Sequence, residues 1–283
     1  MNIPFTKMHG CGNDYIYING FDINIQNPEE LSKVVSDRRF GIGSDGLVLI
    51  CPSTSADAKM RMFNIDGSEG KMCGNAIRCV AKYVYDRNIV RKETITIETL
   101  SGIKIIKLKV VEGEVQLATV DMGTPILEPK EIPIITEAKD ILVNYPISIE
   151  GNTYYITPVS MGNPHCVLFH EDIYSIDLPT IGPSFEYNSI FPEGVNTEFI
   201  QLESKTVLHM RVWERGSGET WACGTGACAA VVAAVLNGYC DKNTDVTVKL
   251  KGGDLLIRYT DESVYMTGPA TLVFDGTFTW SSK

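Results

Sequence analysis

Residues 219–238 read ETWACGTGACAAVVAAVLNG, and residues 67–86 read GSEGKMCGNAIRCVAKYVYD. In each stretch a cysteine stands in glycine-bearing backbone just ahead of a run suited to a helix. Cys223 precedes small apolar residues, and Cys73 precedes NAIRCVAKYVYD. The two cysteines are 150 residues apart, and sliding the sequence on itself by that distance extends the match. Gly12-Asn13 falls on Gly162-Asn163, GLVLI (46–50) on NTEFI (196–200), Glu69 on Glu219, and Leu100-Ser101-Gly102 on Leu250-Lys251-Gly252. A period this long exceeds that of any solenoid. It reads as one domain present twice, the two copies facing each other, with the division in DMGTPILEP (121–129). The expected domains are 1–122 plus 269–283, and 123–268.

The coarse pattern supports an α/β (α+β) chain. PEELSKVVSDRRF (28–40) reads as an amphipathic helix with Pro28 in its first turn and Leu31, Val34 and Val35 on one face. A helix is expected from Cys73 to Val90, and another from Cys223 that Gly238 ends. Segments 94–100, 103–111 and 114–120 read as an antiparallel ladder, and 146–157 as a hairpin turning at Gly151-Asn152. Strands are also expected at 4–8, 15–19, 46–50, 59–63, 196–202, 206–214, 245–250, 254–260 and 263–268.

The chain has 283 residues, 44% apolar and 21% charged, with a net charge of −10. An acidic balance argues against a nucleic-acid partner. No apolar run approaches the ~18 residues of a membrane span, and the first twenty residues lack a signal-peptide pattern. A cytoplasmic chain with eight reduced cysteines is expected. Cys223 and Cys228 have the spacing of a zinc half-site, but no second pair follows, so no metal is expected. Cys79, Cys228 and Cys240 read as small hydrophobes, and Cys11, Cys51 and Cys166 as structural residues in or near strands.

A cysteine at a helix N-terminus meets unpaired N–H groups and the positive end of the helix dipole, so it is expected to ionise more readily than a free thiol. One such cysteine suits a nucleophile, a redox thiol or a proton-transfer base. Two, on opposite sides of a cleft, suit inversion of one carbon: one thiolate removes a proton and the other thiol returns one. The helix-start N–H groups suit a carboxylate that gathers charge as the proton leaves. The symmetric Asn13 and Asn163, the strand-end Asn64 and Asn196, and Glu214-Arg215 are candidate substrate contacts. Arg215 suits a carboxylate, and His165 suits a thiol-tuning role.

MHGCGNDY, RRFGIGSDG, MFNIDGSEGKMCGNAIRC, SMGNPHCV, GVNTEF, ERGSGETWACGTGACA and YMTGPA together resemble the diaminopimelate epimerase family, from about residue 7 to 276. The resemblance implies two pseudo-symmetric domains, each a curved, mostly antiparallel sheet wrapped around a central helix, and a homodimer. It implies a cofactor-free, two-base epimerase that interconverts LL- and meso-diaminopimelate on the route to lysine and cell-wall precursors. Cys73 and Cys223 would be the acid/base pair. Gly74, Asn75, Gly224 and Thr225 would hold the reacting carboxylate through backbone N–H groups. Asn13, Asn64, Asn163, Asn196, Glu214 and Arg215 would hold the rest of the substrate, with His165 and Glu214 near the thiols. Some members carry Gln in the GIGxDx loop where this chain has Gly46, so a side-chain contact from that position is absent here. Two other functions fit the same features: a histidine- or proline-type racemase on this fold, and a non-catalytic redox sensor built on the cysteine pair.

Overall fold

The computed structural model describes residues 1–280. Contacts among them divide the chain into two compact units, Met1–Val120 with Thr267–Lys283, and Asp121–Met266.

In the first unit, β1 (Asn2–Gly10) and β2 (Asn13–Asn19) form an antiparallel pair. β3 (Gly46–Cys51) lies parallel to β2, and the chain reaches it through α1 (Pro28–Ser36). β4 (Ala58–Asn64) returns antiparallel to β3, and the short β5 (Glu69–Gly70) folds back on it. α2 (Gly74–Asp86) then carries the chain to β6 (Thr94–Thr99), parallel to β4. β7 (Gly102–Val111) and β8 (Glu114–Gly123) continue antiparallel. Each parallel pair thus has a helical crossover, as its geometry demands.

The second unit repeats this order. β9 (Tyr145–Ile149) and β10 (Asn152–Ser160) form a hairpin, and β11 (Pro164–Phe169) pairs with β10. α3 (Leu178–Glu186) crosses to β12 (Asn196–Ser204), parallel to β11. β13 (Val207–Glu214) and β14 (Gly218–Thr220) follow antiparallel. α4 (Gly224–Leu236) crosses to β15 (Asp245–Leu250), parallel to β13. β16 (Gly253–Tyr259) pairs with β15, and β17 (Val264–Gly268) follows. β18 (Thr271–Thr279) returns to the first unit and pairs with β1. α1 and α3, and likewise α2 and α4, have equal lengths and start 150 residues apart.

α4 is buried almost all round, because alanine and valine let strands approach on every side. It touches β10, β11, β12, β15 and β16. α2 touches β1, β2, β4, β6 and β7. A single helix reaches strands that far apart in the ladder only if the sheet curls around it. On the other face of the first sheet, Ile16, Ile18, Leu47 and Leu49 pack with Leu31 and Val35 of α1. β3 is therefore covered on both faces and reads as a continuous apolar run.

Several expectations needed correction. α1 ends at Ser36 rather than Phe40, because Asp37 Oδ1 accepts the N–H groups of Arg39 and Phe40 and turns the chain. Val34 is 43% exposed, while Leu31, Ser32 and Val35 face the core. α2 stops at Asp86, not Val90: Asn88 adopts φ 60° and its N–H bonds Tyr85 O. Gly238, with φ 76°, does the same after α4. The β9–β10 turn is Glu150-Gly151, one residue earlier than expected, both residues having positive φ as a type I′ turn requires. The patterns assigned no helix to 178–186, yet α3 stands there. Its Pro183 and Gly182 argue against a helix locally. Gly182 is needed because a Cβ there would lie 2.2 Å from the Trp213 ring.

Candidate active site

Cys73 is the N-cap of α2, with extended backbone (φ −134°, ψ 120°), and its sulfur accepts the N–H of Ala76 at 3.5 Å. Cys223 is the N-cap of α4 (φ −118°, ψ 108°), its sulfur accepting the N–H of Gly226 at 3.4 Å. Both sulfurs occupy the place where a serine or aspartate oxygen usually caps a helix. That geometry directs each sulfur toward the N–H groups that the helix ladder leaves over.

In the first unit, Asn13 stands beside Cys73. The Cys73 sulfur lies 3.5 Å from Asn13 Oδ1, and Asn75 Nδ2 donates to the same oxygen at 3.3 Å. Asn13 Nδ2 donates to Asp45 at 2.8 Å, and Asp45 in turn binds Arg38. Arg78, fully buried one turn into α2, donates to Gly74 O and Asn75 Oδ1 and so braces the first turn of the helix. Asn64 closes the β4–β5 turn by donating to Ser68. Gly46 opens β3 opposite Asn64. A Cβ on it would sit 2.2 Å from Phe63 O and 2.8 Å from the Tyr15 ring.

In the second unit, Asn163 Nδ2 donates to Thr225 Oγ1 at 3.3 Å, and Thr225 Oγ1 lies 3.6 Å from the Cys223 sulfur. His165 Nε2 lies 3.1 Å from Asn163 Oδ1, and its Nδ1 is 2.6 Å from Glu198 Oε1. Asn196 donates to Pro164 O and accepts the N–H of Arg215, which orients the turn after β13. The Arg215 guanidinium is held by Glu193 O. Glu186 at the end of α3 accepts from Trp213 Nε1 and from Gly216 N, so it ties both ends of the Glu214-Arg215 turn. Glu214 accepts from Thr220. Arg61–Glu69 and Arg211–Glu219, ion pairs 150 residues apart, brace the hairpin ahead of each cysteine.

The structure thus brings Asn13, Asn75 and Cys73 together on one helix start, and Asn163, Thr225, His165, Glu214 and Cys223 around the other. One expectation about the thiols changes. Cys223 is buried, 5% exposed. Its thiol is pushed well above the ordinary range, first by burial and then by Glu214 and Glu198. The carboxyl of Glu214 is raised as well, mainly by burial. Helix-dipole stabilisation of a thiolate is outweighed here first by burial and then by Glu214 and Glu198. His165 hydrogen-bonds Asn163 and Glu198. Sequence patterns missed Glu198, Glu186 and Arg78. Glu198 was signalled by its place: by the 150-residue offset this acid stands where the apolar β3 has Val48.

A raised thiol makes a testable prediction. Alkylation of Cys223 by iodoacetamide, followed by peptide mass mapping, is expected to be slow at pH 7, and Glu214→Gln is expected to move its rise to lower pH. An unchanged profile in that variant would remove Glu214 as a cause. The sign for stability follows: the unfolded thiol ionises near ~8.5, while folded Cys223 stays protonated. Its contribution is complete below that pH and is lost as pH rises toward the folded value.

Among the described residues no group of three or more His, Cys, Asp or Glu side chains is arranged to hold a metal. No helix among them is long and apolar enough to cross a membrane.

The family model described as "Diaminopimelate epimerase" matches residues 5–128 and 157–273. A protein named "Diaminopimelate epimerase" from Desulfovibrio desulfuricans is 57% identical over 283 residues, 98% of this chain and 98% of its own. One of the same name from Acetivibrio thermocellus is 56% identical, covering 96% of this chain and 97% of its own. Among solved structures, a hydroxyproline epimerase from Agrobacterium vitis has the same fold, with a TM-score of 0.70 at 12% identity, covering 98% of this chain and 91% of its own.

Proposed function

Since the chain belongs to the diaminopimelate epimerase family, we propose that it interconverts LL- and meso-2,6-diaminopimelate, a step toward lysine and peptidoglycan precursors, by proton transfer between two thiols. The observation that carries this reading is the thiol cap repeated at the starts of α2 and α4, 150 residues apart. In the proposed reaction one cysteine, as thiolate, takes the Cα proton and becomes a thiol. The other, as thiol, gives a proton to the opposite face of the carbon and becomes the thiolate. Reversing the direction exchanges their roles, so no net proton is gained or lost.

The α-carboxylate gathers negative charge when the Cα–H bond breaks. The first-turn N–H groups of Gly74 and Asn75 and of Gly224 and Thr225 would take that charge, because helix starts offer N–H groups outside the helix ladder. Asn13, Asn64, Asn163, Asn196 and Glu214 would position the amino groups, and Arg215 the distal carboxylate. The repeat 1–122 plus 269–283 and 123–268 would be the duplicated unit, one cysteine from each. A cytoplasmic homodimer completes the proposal.

The test is LL-diaminopimelate in deuterated water, with Cα–H exchange followed by NMR and inversion by optical rotation, beside a panel of single amino acids including histidine and proline. Exchange and inversion of diaminopimelate alone are expected. Preference for a one-headed amino acid would overturn the substrate, and absence of turnover on every substrate under reducing conditions would favour a redox sensor.

A further inference from the structure

We propose that Glu198 is a positioning residue of the second thiol site: its carboxylate holds His165, and His165 holds Asn163 beside Thr225 and Cys223. This role presupposes the epimerase reading above and extends it to a residue behind the substrate contacts.

The links form one chain. Glu198 Oε1 lies 2.6 Å from His165 Nδ1, with both side chains fully buried. His165 Nε2 reaches Asn163 Oδ1 at 3.1 Å. Asn163 Nδ2 donates to Thr225 Oγ1 at 3.3 Å, and that hydroxyl is 3.6 Å from the Cys223 sulfur. Nε2 can bond the Asn163 oxygen only as an N–H donor, so the Nδ1–Glu198 contact holds a second proton that the pair shares, and Glu198 thereby keeps the ring turned toward Asn163. The amide is thereby held in one rotamer, with its other end on the first turn of α4.

Glu198 also reaches that turn directly. A Cβ on Gly226 would lie 2.6 Å from Glu198 Oε1 and 3.2 Å from the Cys223 sulfur. The N–H of the same glycine caps the sulfur. Glycine at 226 is what lets carboxylate and thiol share one helix start. The charged and titratable groups around Glu198 are His165 and Cys166 on β11, Cys223 on α4 and Glu214 on β13. Burial and Glu198 push the Cys166 thiol up, and Glu198 contributes to the upward shifts of Glu214 and Cys223.

The other half of the molecule shows that the fold does not need an acid here. By the 150-residue offset Val48 stands at the position of Glu198, and Tyr15 at that of His165, both buried in their strands. Well-packed apolar residues at such a place are often as stable as a buried charged pair. Glu198 Oε2 has no hydrogen-bond partner among the described residues, which adds to the cost of the carboxylate. A costly group at a position where its counterpart is valine is explained by the site it supports.

A double-mutant cycle of Glu198→Gln and His165→Gln tests this, with folding checked by thermal melting. Each single variant is expected to lower kcat for diaminopimelate epimerisation by about ten- to a hundredfold, the range a misplaced group costs. The double variant is expected to be no slower than His165→Gln alone, because both act through one chain. Additive losses, or rates equal to wild type, would overturn the role. If Glu198→Gln fails to fold, Glu198→Val, copying position 48, takes its place in the cycle.

Two readouts do not depend on turnover. A low-field Nδ1–H proton resonance is expected in the wild type and absent in both single variants. The pH profile of Cys223 alkylation is expected to move lower in Glu198→Gln. Persistence of the resonance in Glu198→Gln would overturn the proposal even if the wild type proved to act on another amino acid. Failure of the wild type to epimerise diaminopimelate, with both readouts as expected, would overturn only the substrate.

Discussion

Cys223→Ala is expected to lower epimerisation by about a hundredfold to ten-thousandfold in both directions, the range assigned to a positioned acid or base. Cys73→Ala is expected to do the same. The two-thiol chemistry adds a finer expectation. Each variant keeps one thiol, which still serves one face of Cα. With Cys223 removed, Cys73 can remove a proton and return a solvent-derived one to the same face. Deuterium then enters one epimer without inversion, and the complementary variant shows the same with the other epimer. Wild-type rates of inversion in either variant would overturn the mechanism. The environments make the two losses unequal in their pH dependence. Burial, and after it Glu214 and Glu198, push the Cys223 thiol up. Cys73 is more exposed and stands beside Asn13 and Asn75.

Gly46→Gln is expected to destabilise the protein by about 3 kcal/mol, the upper part of the usual cost of overpacking, read as a lowered melting temperature. A Cβ at this position meets the backbone oxygen of Phe63 at 2.2 Å, and backbone cannot swing aside as a side chain would. Gly46 is also paired in register with Asn64, so a shift there disturbs the strand end that carries a candidate substrate contact. A variant that melts with the wild type would show that β3 and β4 separate more easily than their packing indicates.

Most of the architecture was legible because the chain carries its own comparison. Two cysteine-headed helices at a fixed offset implied a duplicated domain, and the ladder 94–120 and the hairpin 146–157 announced themselves by alternation and turn residues. α3 was not legible from its own residues, since Pro183 and Gly182 speak against a helix. The offset itself would have found it: α1 shifted by 150 residues is α3. Its helical state is imposed by the parallel β11–β12 pairing, which requires a crossover, and by Trp213, which fills the space a side chain at 182 would take.

The local chemistry of the site divides in the same way. The sequence by itself determined the duplication, the two helix-start thiols and the family, because glycine, cysteine and asparagine at fixed spacing act through backbone geometry that needs no distant partner. Only the tertiary structure decided how each thiol is tuned. Glu198 reaches His165 across the parallel β11–β12 pair and comes near Cys223 beside Gly226, and Glu186 reaches the Arg215 turn from a helix no pattern marked. Electrostatic tuning depends on distance and burial through space. Neither is contained in the order of residues along the chain.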